Sequence, residues 1–503
     1  MDIQNFMEQA DARIERADET EINEFLTELE KLLDTNKEDP YILCNLYYAK
    51  ANHLSALKEA KINKDGQVLI EIGALEELHE QSIYCLRKAL ALSEKLEEVE
   101  PEFKAMMLTN LANEISHVGR FVEAIDIWDS AEKNLGSSFP MAIGNMGLGL
   151  TTYANYHYDP GHAHFLRREA FYRLQYAVEH KELLHSEYAY TIFKQYKDRI
   201  QEVYPDEFLK NKELYKENDY NPEEKEYREW CLDNKLFLNP LNDVAKSSIA
   251  DQDILGLPTI IVSKDQRYPV FHSYFNQLKQ EYVTARWFLY DSLKYEMHFS
   301  DSQVGIYDTL DSQMFGLSVQ KLKIAFKSTY SIFDKIAYFL NEYYKIGIPK
   351  NFISFKSIWY ENLRANKLKV RKEIKFQKNG PLKGLYWLSK DLYYKGDIDY
   401  RNVIEPDAQK LDEIRNHLEH KFLDIHFPFY NIQGDKSLTE SINEDELYER
   451  TIKLLKLSRA ALIYLSLAIH IEEQNRKEMY AGKNIHRVKL DYIEDEDKNN
   501  LSL

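Results

Sequence analysis

Apolar residues recur at helical spacing along most of the chain. Ile22, Phe25, Leu26 and Leu29 share one helix face, although residues 1–40 hold 13 acidic and 4 basic residues. This stretch reads as a solvent-washed first helix rather than an unstructured acidic arm. Between 41 and 180 one pattern returns. Its clearest copy is Leu111, Ala112, Ile115, Gly119, Phe121, Ala124 and Ala131. Met146, Gly147, Leu150 and Ala154 repeat its first part, Ala170 and Ala177 its second, and Ser82–Leu92 with Ala89 an earlier second part. The pattern predicts helical hairpins, because small residues let two helix backbones approach while large ones fill the gaps beside them.

The large-small-large order in a first helix, Gly at the turn, then an aromatic and two alanines, resembles the tetratricopeptide repeat. That resemblance implies a concave surface suited to a partner or to self-association. A plain helical bundle is the alternative. Tyr188, Ile192, Phe193 and Tyr196 predict one more helix, and Pro205 and the 218–222 stretch break the pattern. A loop-rich entry follows, with NPLN at 239–242 and Ile260-Ile261-Val262 as a short strand or a buried extended segment. Four long amphipathic runs then appear, at 273–298, 319–345, 404–423 and 444–474, which is the pattern of a bundle. The fold class expected is all-α: helical repeats over 1–205, a connecting segment over 206–270 and a bundle over 271–490. The acidic tail from Asp491 is expected to fray.

Length and composition narrow the classes. A chain of 503 residues exceeds one ordinary core. With 44% hydrophobic and 13% aromatic residues it is neither disordered nor linker-dominated. The formal net charge of -18 argues against indiscriminate coating of nucleic acid. Cys44, Cys85 and Cys231 are scattered and form no CxxC pair, which argues against a disulfide framework or a cysteine zinc site. No signal sequence and no membrane-spanning run is evident, so a soluble cytoplasmic protein is expected.

Segment 345–400 departs from the acidic average, with 13 Lys or Arg against 5 Asp or Glu. Phe352, Phe355, Trp359, Tyr360, Phe376, Tyr386, Trp387, Tyr393 and Tyr394 are interleaved with the charges. A groove for single-stranded nucleic acid needs both, cations for phosphates and rings for bases. Lys367, Lys369, Arg371, Lys372 and Lys375 are the candidate RNA contacts on that reading. On the other reading the charges are a solvated face and the rings are core.

The chemistry concentrates in LDEIRNHLEHKFL at 411–423, where Arg415, Asn416, His417, Glu419 and His420 fall within two helical turns. Arg415, four residues, then His420 resembles the Arg-x4-6-His motif of the HEPN superfamily (higher eukaryotes and prokaryotes nucleotide-binding domains), with Asn416 as the polar residue that often follows the Arg. The long helices before and after it suit the same family, over about 270–475. The resemblance implies a metal-independent ribonuclease for single-stranded or loop RNA, in a superfamily with many toxins and antiviral effectors. It also implies dimers, or higher homo-oligomers, with two motifs facing one another. Some members bind without cutting.

The residues suit that chemistry in their own right. RNA supplies its own nucleophile, the 2′-OH, an imidazole can exchange a proton near neutrality, and a guanidinium can stabilise charge on a transferring phosphoryl group. His420 is the candidate acid/base, Arg415 the phosphate clamp, and Asn416 orients the phosphate or the His ring. His417 lies about 60° round the helix from His420, near enough to line the same groove. Glu419 is placed to bond Lys421 or Arg415, and Asp334 to partner Arg415 from the preceding helix. Glu281 and Arg286 could serve similarly or form a surface pair. The alternative for the cluster is an ordinary polar helix face. His157, His162 and His164 read as a capping loop, and a site joining His417, His420 and His426 lacks a recognised ligand set. No phosphate-binding loop, dinucleotide fingerprint, HExxH or GxSxG occurs.

The functional expectation is therefore an endoribonuclease that needs no cofactor or metal. Its partners would be RNA and a second copy, with a protein or ligand trigger at the repeats and no membrane. The alternative is a noncatalytic repeat scaffold that dimerises and binds RNA or protein.

Overall fold

The computed structural model describes residues 3–16, 19–61, 72–135, 139–184, 186–210, 218–261, 270–294, 297–308, 310, 312–363, 368–374, 376, 378–392, 408–427, 439–479, 490, 493 and 498. Its first part is a series of helices: α1 (Ile3–Arg16), α2 (Glu19–Thr35), α3 (Pro40–Ala60), α4 (Ile72–Ser93), α5 (Pro101–His117), α6 (Phe121–Asn134), α7 (Pro140–Tyr156), α8 (Pro160–Glu179), α9 (Glu187–Val203), α10 (Asp206–Lys210) and α11 (Pro222–Asp233). Several starts are written locally. The Asp39 carboxylate accepts from the Tyr41 and Ile42 amides, Asp159 does the same for Gly161 and His162, and each stands before a proline in the first turn.

Helices α3 and α4, α5 and α6, and α7 and α8 pack as successive pairs. The alanines of the sequence pattern sit at their crossings, with Ala89, Ala112, Ala124, Ala131, Ala170 and Ala177 fully buried. Gly119 turns α5 into α6 at φ +89, a conformation that favours glycine. Gly147 and Gly149 leave room for Leu174 and Trp128, whose side chains a Cβ would meet at 2.8 and 2.5 Å. The N-terminal part is thus a helical array, and its acidic start forms α1 and α2.

The second part contains α12 (Val270–Ser292), α13 (Leu317–Tyr343), α14 (Gly380–Leu388), α15 (Ala408–His420), a strand β1 (Phe422–His426), a strand β2 (Thr439–Asn443) and α16 (Glu444–Met479). Helices α12, α13 and α16 pack together, α14 lies on α16 and α15 on α13. The class is all-α. The small exception is β1 paired in parallel with β2, from Phe422 opposite Thr439 to His426 opposite Asn443. The expected helix at 404–423 accordingly ends at His420. Ile260 and Ile261 lie outside any helix or strand, the Ile261 amide donating to Glu473 at 2.6 Å; Val262 and most of the tail from Asp491 lie outside the described residues.

Helix α16 is the spine. By length and hydropathy it could cross a membrane, but 83% of its apolar window is buried within the chain, as in a core helix. It touches α6 and α7 as well as α12, α13 and α14, so one continuous hydrophobic core runs through both parts. Its buried Arg459 donates to Asp243 (2.5 Å) and to the Phe237 and Asn239 carbonyls, which anchors the NPLN stretch.

The aromatics of 345–400 are mostly core. Phe355, Trp359, Tyr360, Tyr386 and Trp387 are buried, with Trp359 against Phe355 and Tyr386. Apart from exposed Phe352 and half-buried Phe376, the described rings offer no stacking platform, and Tyr393 and Tyr394 lie outside the described residues. One physical reason is that α14 and the turn after it, Ser389–Asp391, form a contact between the two parts. Its Gly384 lies so close to the Gly119 carbonyl that a Cβ would stand 2.3 Å from that oxygen. Lys390 pairs with Glu80, Trp387 packs edge-on against His79, and Asp391 meets both Arg87 and Arg120. The chain's own α14 and the turn after it therefore cover the array face at α4 and the α5–α6 turn.

Candidate active site on helix α15

Leu411, Ile414 and Leu418 form the apolar stripe that seats α15 against its neighbours. Arg415 flanks that stripe and is half-buried, while His420, the last residue of the helix, has 73% of its side chain exposed. From α13, Tyr330 and Asp334 lie four residues apart and hence on one face towards α15. The Arg415 guanidinium lies over the Tyr330 ring, 4.9 Å from its centroid. Its Nη2 is 3.6 Å from Asp334 Oδ2. Asp334 is held in turn by the Phe355 amide, which donates to its Oδ1 at 2.9 Å.

One atom ties the two motif residues together. Glu419 Oε2 is 3.6 Å from Arg415 Nε and 3.7 Å from His420 Nε2. The guanidinium and the imidazole thus converge on a single anionic oxygen. At those lengths the contacts are ion-pair distances rather than hydrogen bonds. Burial pushes the nearby Asp412 carboxyl up, against the pull of Arg415, and burial likewise pushes the Tyr330 phenol far up.

The other expected residues divide. Asn416 is exposed and donates to Asp412 Oδ2 (3.3 Å) one turn back, rather than fixing the His420 ring. His417 is half-buried and its Nδ1 bonds the Glu413 carbonyl at 2.8 Å. Glu419 faces Arg415 and not Lys421. Glu281 pairs with Lys335, whereas Arg286 is buried on Asp253 (2.7 Å), so they form neither a pair nor a support for Arg415. His426 is buried in β1 while His420 faces solvent. Among the described residues no group of three or more His, Cys, Asp or Glu is placed to hold a metal.

Of the proposed RNA contacts, Lys367 and Lys375 lie outside the described residues. Lys369 and Lys372 are exposed, Lys369 being 3.7 Å from Glu361. Arg371 is half-buried and reaches the Ser357 carbonyl at 3.4 Å. Sequence reasoning missed Tyr330, which reads as one more core aromatic of α13. It also passed over Lys356, whose charge acts on Asp412 and which belongs to the basic segment.

Compared with known families, residues 262–472 match the model of the LA2681-like HEPN family. This stretch is an LA2681-like HEPN domain. No curated protein and no solved structure matches the chain. The HEPN domain thus spans α12 to most of α16 and contains α15, the resembling motif and its acidic neighbours. It places this part of the chain in a ribonuclease-like superfamily.

Proposed function

We propose that the HEPN domain is a metal-independent endoribonuclease for single-stranded or loop RNA, with Arg415 and His420 as its catalytic residues. The observation that carries this reading is the shared approach of Arg415 and His420 to one anionic oxygen of Glu419. A phosphate oxygen of RNA has the same charge and takes that place, bound by the guanidinium and within reach of the imidazole.

The reaction follows from those two groups. The 2′-oxygen attacks the adjacent phosphorus as its proton passes to a base, the bond from phosphorus to the 5′-oxygen breaks, and that oxygen receives a proton from an acid. Arg415 stabilises charge on the non-bridging oxygens. A single His420 serves one end of this transfer, and His420 of a second copy serves the other. A homodimer through the bundle is supported by large apolar side chains that the bundle leaves exposed. Met297, Phe299, Tyr307 and Leu310 are 77–90% exposed, and Phe422 lies two residues beyond His420 at 67%. A toxin or antiviral effector, held quiet until a trigger acts on the helical array, is the setting this reading suits.

The noncatalytic reading has one observation in its favour: Asp334 and Glu419 already balance Arg415. End-group analysis separates the two. The enzyme leaves a 2′,3′-cyclic phosphate and a 5′-OH in EDTA, whereas intact RNA retained on the protein supports the scaffold.

A further inference from the structure

We infer that Tyr330 is a positioning residue for Arg415 and that the helical array sets it through Asp391. The inference rests on the ribonuclease reading for its kinetic part only. Its geometry begins in the array. The Asp391 carboxylate is held by Arg87 at 2.7 and 3.0 Å and by Arg120 at 2.7 Å. Burial alone would raise this carboxyl; Arg120 and Arg87 hold it well below the usual carboxylate range. A doubly paired, buried carboxylate fixes its own backbone firmly.

The next residue is Leu392, and its carbonyl accepts from the buried Tyr330 hydroxyl at 3.0 Å. The other side of the Tyr330 ring system carries the consequence, because Arg415 lies over that ring at 4.9 Å. A second run of contacts reaches the same guanidinium. Tyr386 of α14 packs on Trp359, Trp359 on Phe355, and the Phe355 amide holds Asp334, which faces Arg415. Both routes start where the array grips α14 and the residues after it, and both end at the motif arginine. A partner that shifts the array changes the restraint on Arg415 without touching the site.

The test uses the full chain. Tyr330→Phe removes the donor to Leu392 and leaves the ring under Arg415. Arg87→Gln removes one of two cations on Asp391 and leaves Arg120. Arg173→Gln, whose partner Glu169 lies within α8, is the control. Amide exchange across 408–420 is read by mass spectrometry, beside kcat and KM on a labelled RNA.

Both test variants should raise exchange in α15 by about five-fold, the size expected for one lost buried hydrogen bond. They should lower kcat with KM little changed, and the double variant should be no worse than the stronger single one. The control should match wild type. Unchanged α15 exchange in Tyr330→Phe, or strictly additive effects in the double variant, overturns the inference. If Arg87→Gln does not fold, Tyr330→Phe decides alone. Altered exchange in a protein that cuts no RNA upholds the link and defeats the ribonuclease reading instead.

Discussion

Glu419 Oε2 stands 3.6 Å from Arg415 Nε and 3.7 Å from His420 Nε2, so one carboxylate oxygen faces both motif side chains. On the ribonuclease reading proposed above, the carboxylate and an RNA phosphate compete for one guanidinium. Glu419→Gln keeps the helix and removes the charge. A partly exposed ion pair of this kind is worth up to about 1 kcal/mol, so RNA binding should tighten about two- to five-fold at low salt. Filter binding measures it, and unchanged or weaker binding contradicts the competition.

Arg415→Lys tests the stacked geometry. A lysine keeps the charge but loses the planar face over Tyr330 and the forked donors that grip a phosphate. Cleavage should fall by about 100-fold or more, the scale seen when one preorganised donor to a developing oxyanion is removed. The melting temperature should stay nearly the same, since Arg415 is half-exposed. Full activity in the lysine variant would show that only charge matters at this position.

The rings of the basic segment and its exposed cations should behave oppositely. Trp359 is fully buried, and Trp359→Ala should cost about 3–5 kcal/mol of stability. Lys369→Ala and Lys372→Ala should change stability by less than about 0.5 kcal/mol, as exposed substitutions do. Denaturant unfolding reads both. If Trp359→Ala were neutral in stability and abolished RNA binding, the ring would be a stacking surface and not core.

Acid should weaken the fold below neutrality. Burial pushes His79 down to about 4 against its hydrogen bond to Glu114, and burial with His162 and His470 nearby pushes His157 down to about 3. Unfolded histidines titrate near 6.5. Above that pH both states are neutral at these positions and stability is complete. As pH falls below it, the unfolded chain takes up protons that the folded chain refuses, so stability drops until the folded values are passed. A tenfold change in proton affinity is worth about 1.4 kcal/mol, which gives a loss on the order of 3 kcal/mol for each ring by pH 4. Urea midpoints from pH 7.5 to 4.5 should decline, and less steeply in His79→Gln. A flat wild-type profile contradicts this.

Much of the fold was legible because amphipathic helices carry their period in the sequence. The alanines at 112, 124 and 131 and the glycine at 119 marked a hairpin whose crossing and turn need those residues. The motif at Arg415 and His420 was legible as a spacing on one helix. Its neighbours were less so. Asp334 could be named because it is charged, whereas Tyr330 looked like any core aromatic, and a ring under a guanidinium has no local signature. Strand β1 was missed because five residues directly after a helix pair with a segment that arrives only at Thr439. The rings of 345–400 left two readings open, since their burial depends on partners distant in sequence: Phe333 of α13 for Phe355 and His79 of the array for Trp387.

The central claim is most directly tested by incubating the full-length protein and its His420→Ala variant with labelled single-stranded RNA in EDTA, beside the same RNA carrying 2′-deoxy sugars. The account predicts cutting of the ribose strand by the wild type alone and no cutting of the deoxy strand by either protein. Equal cutting by His420→Ala, or cutting of the deoxy strand, would contradict it.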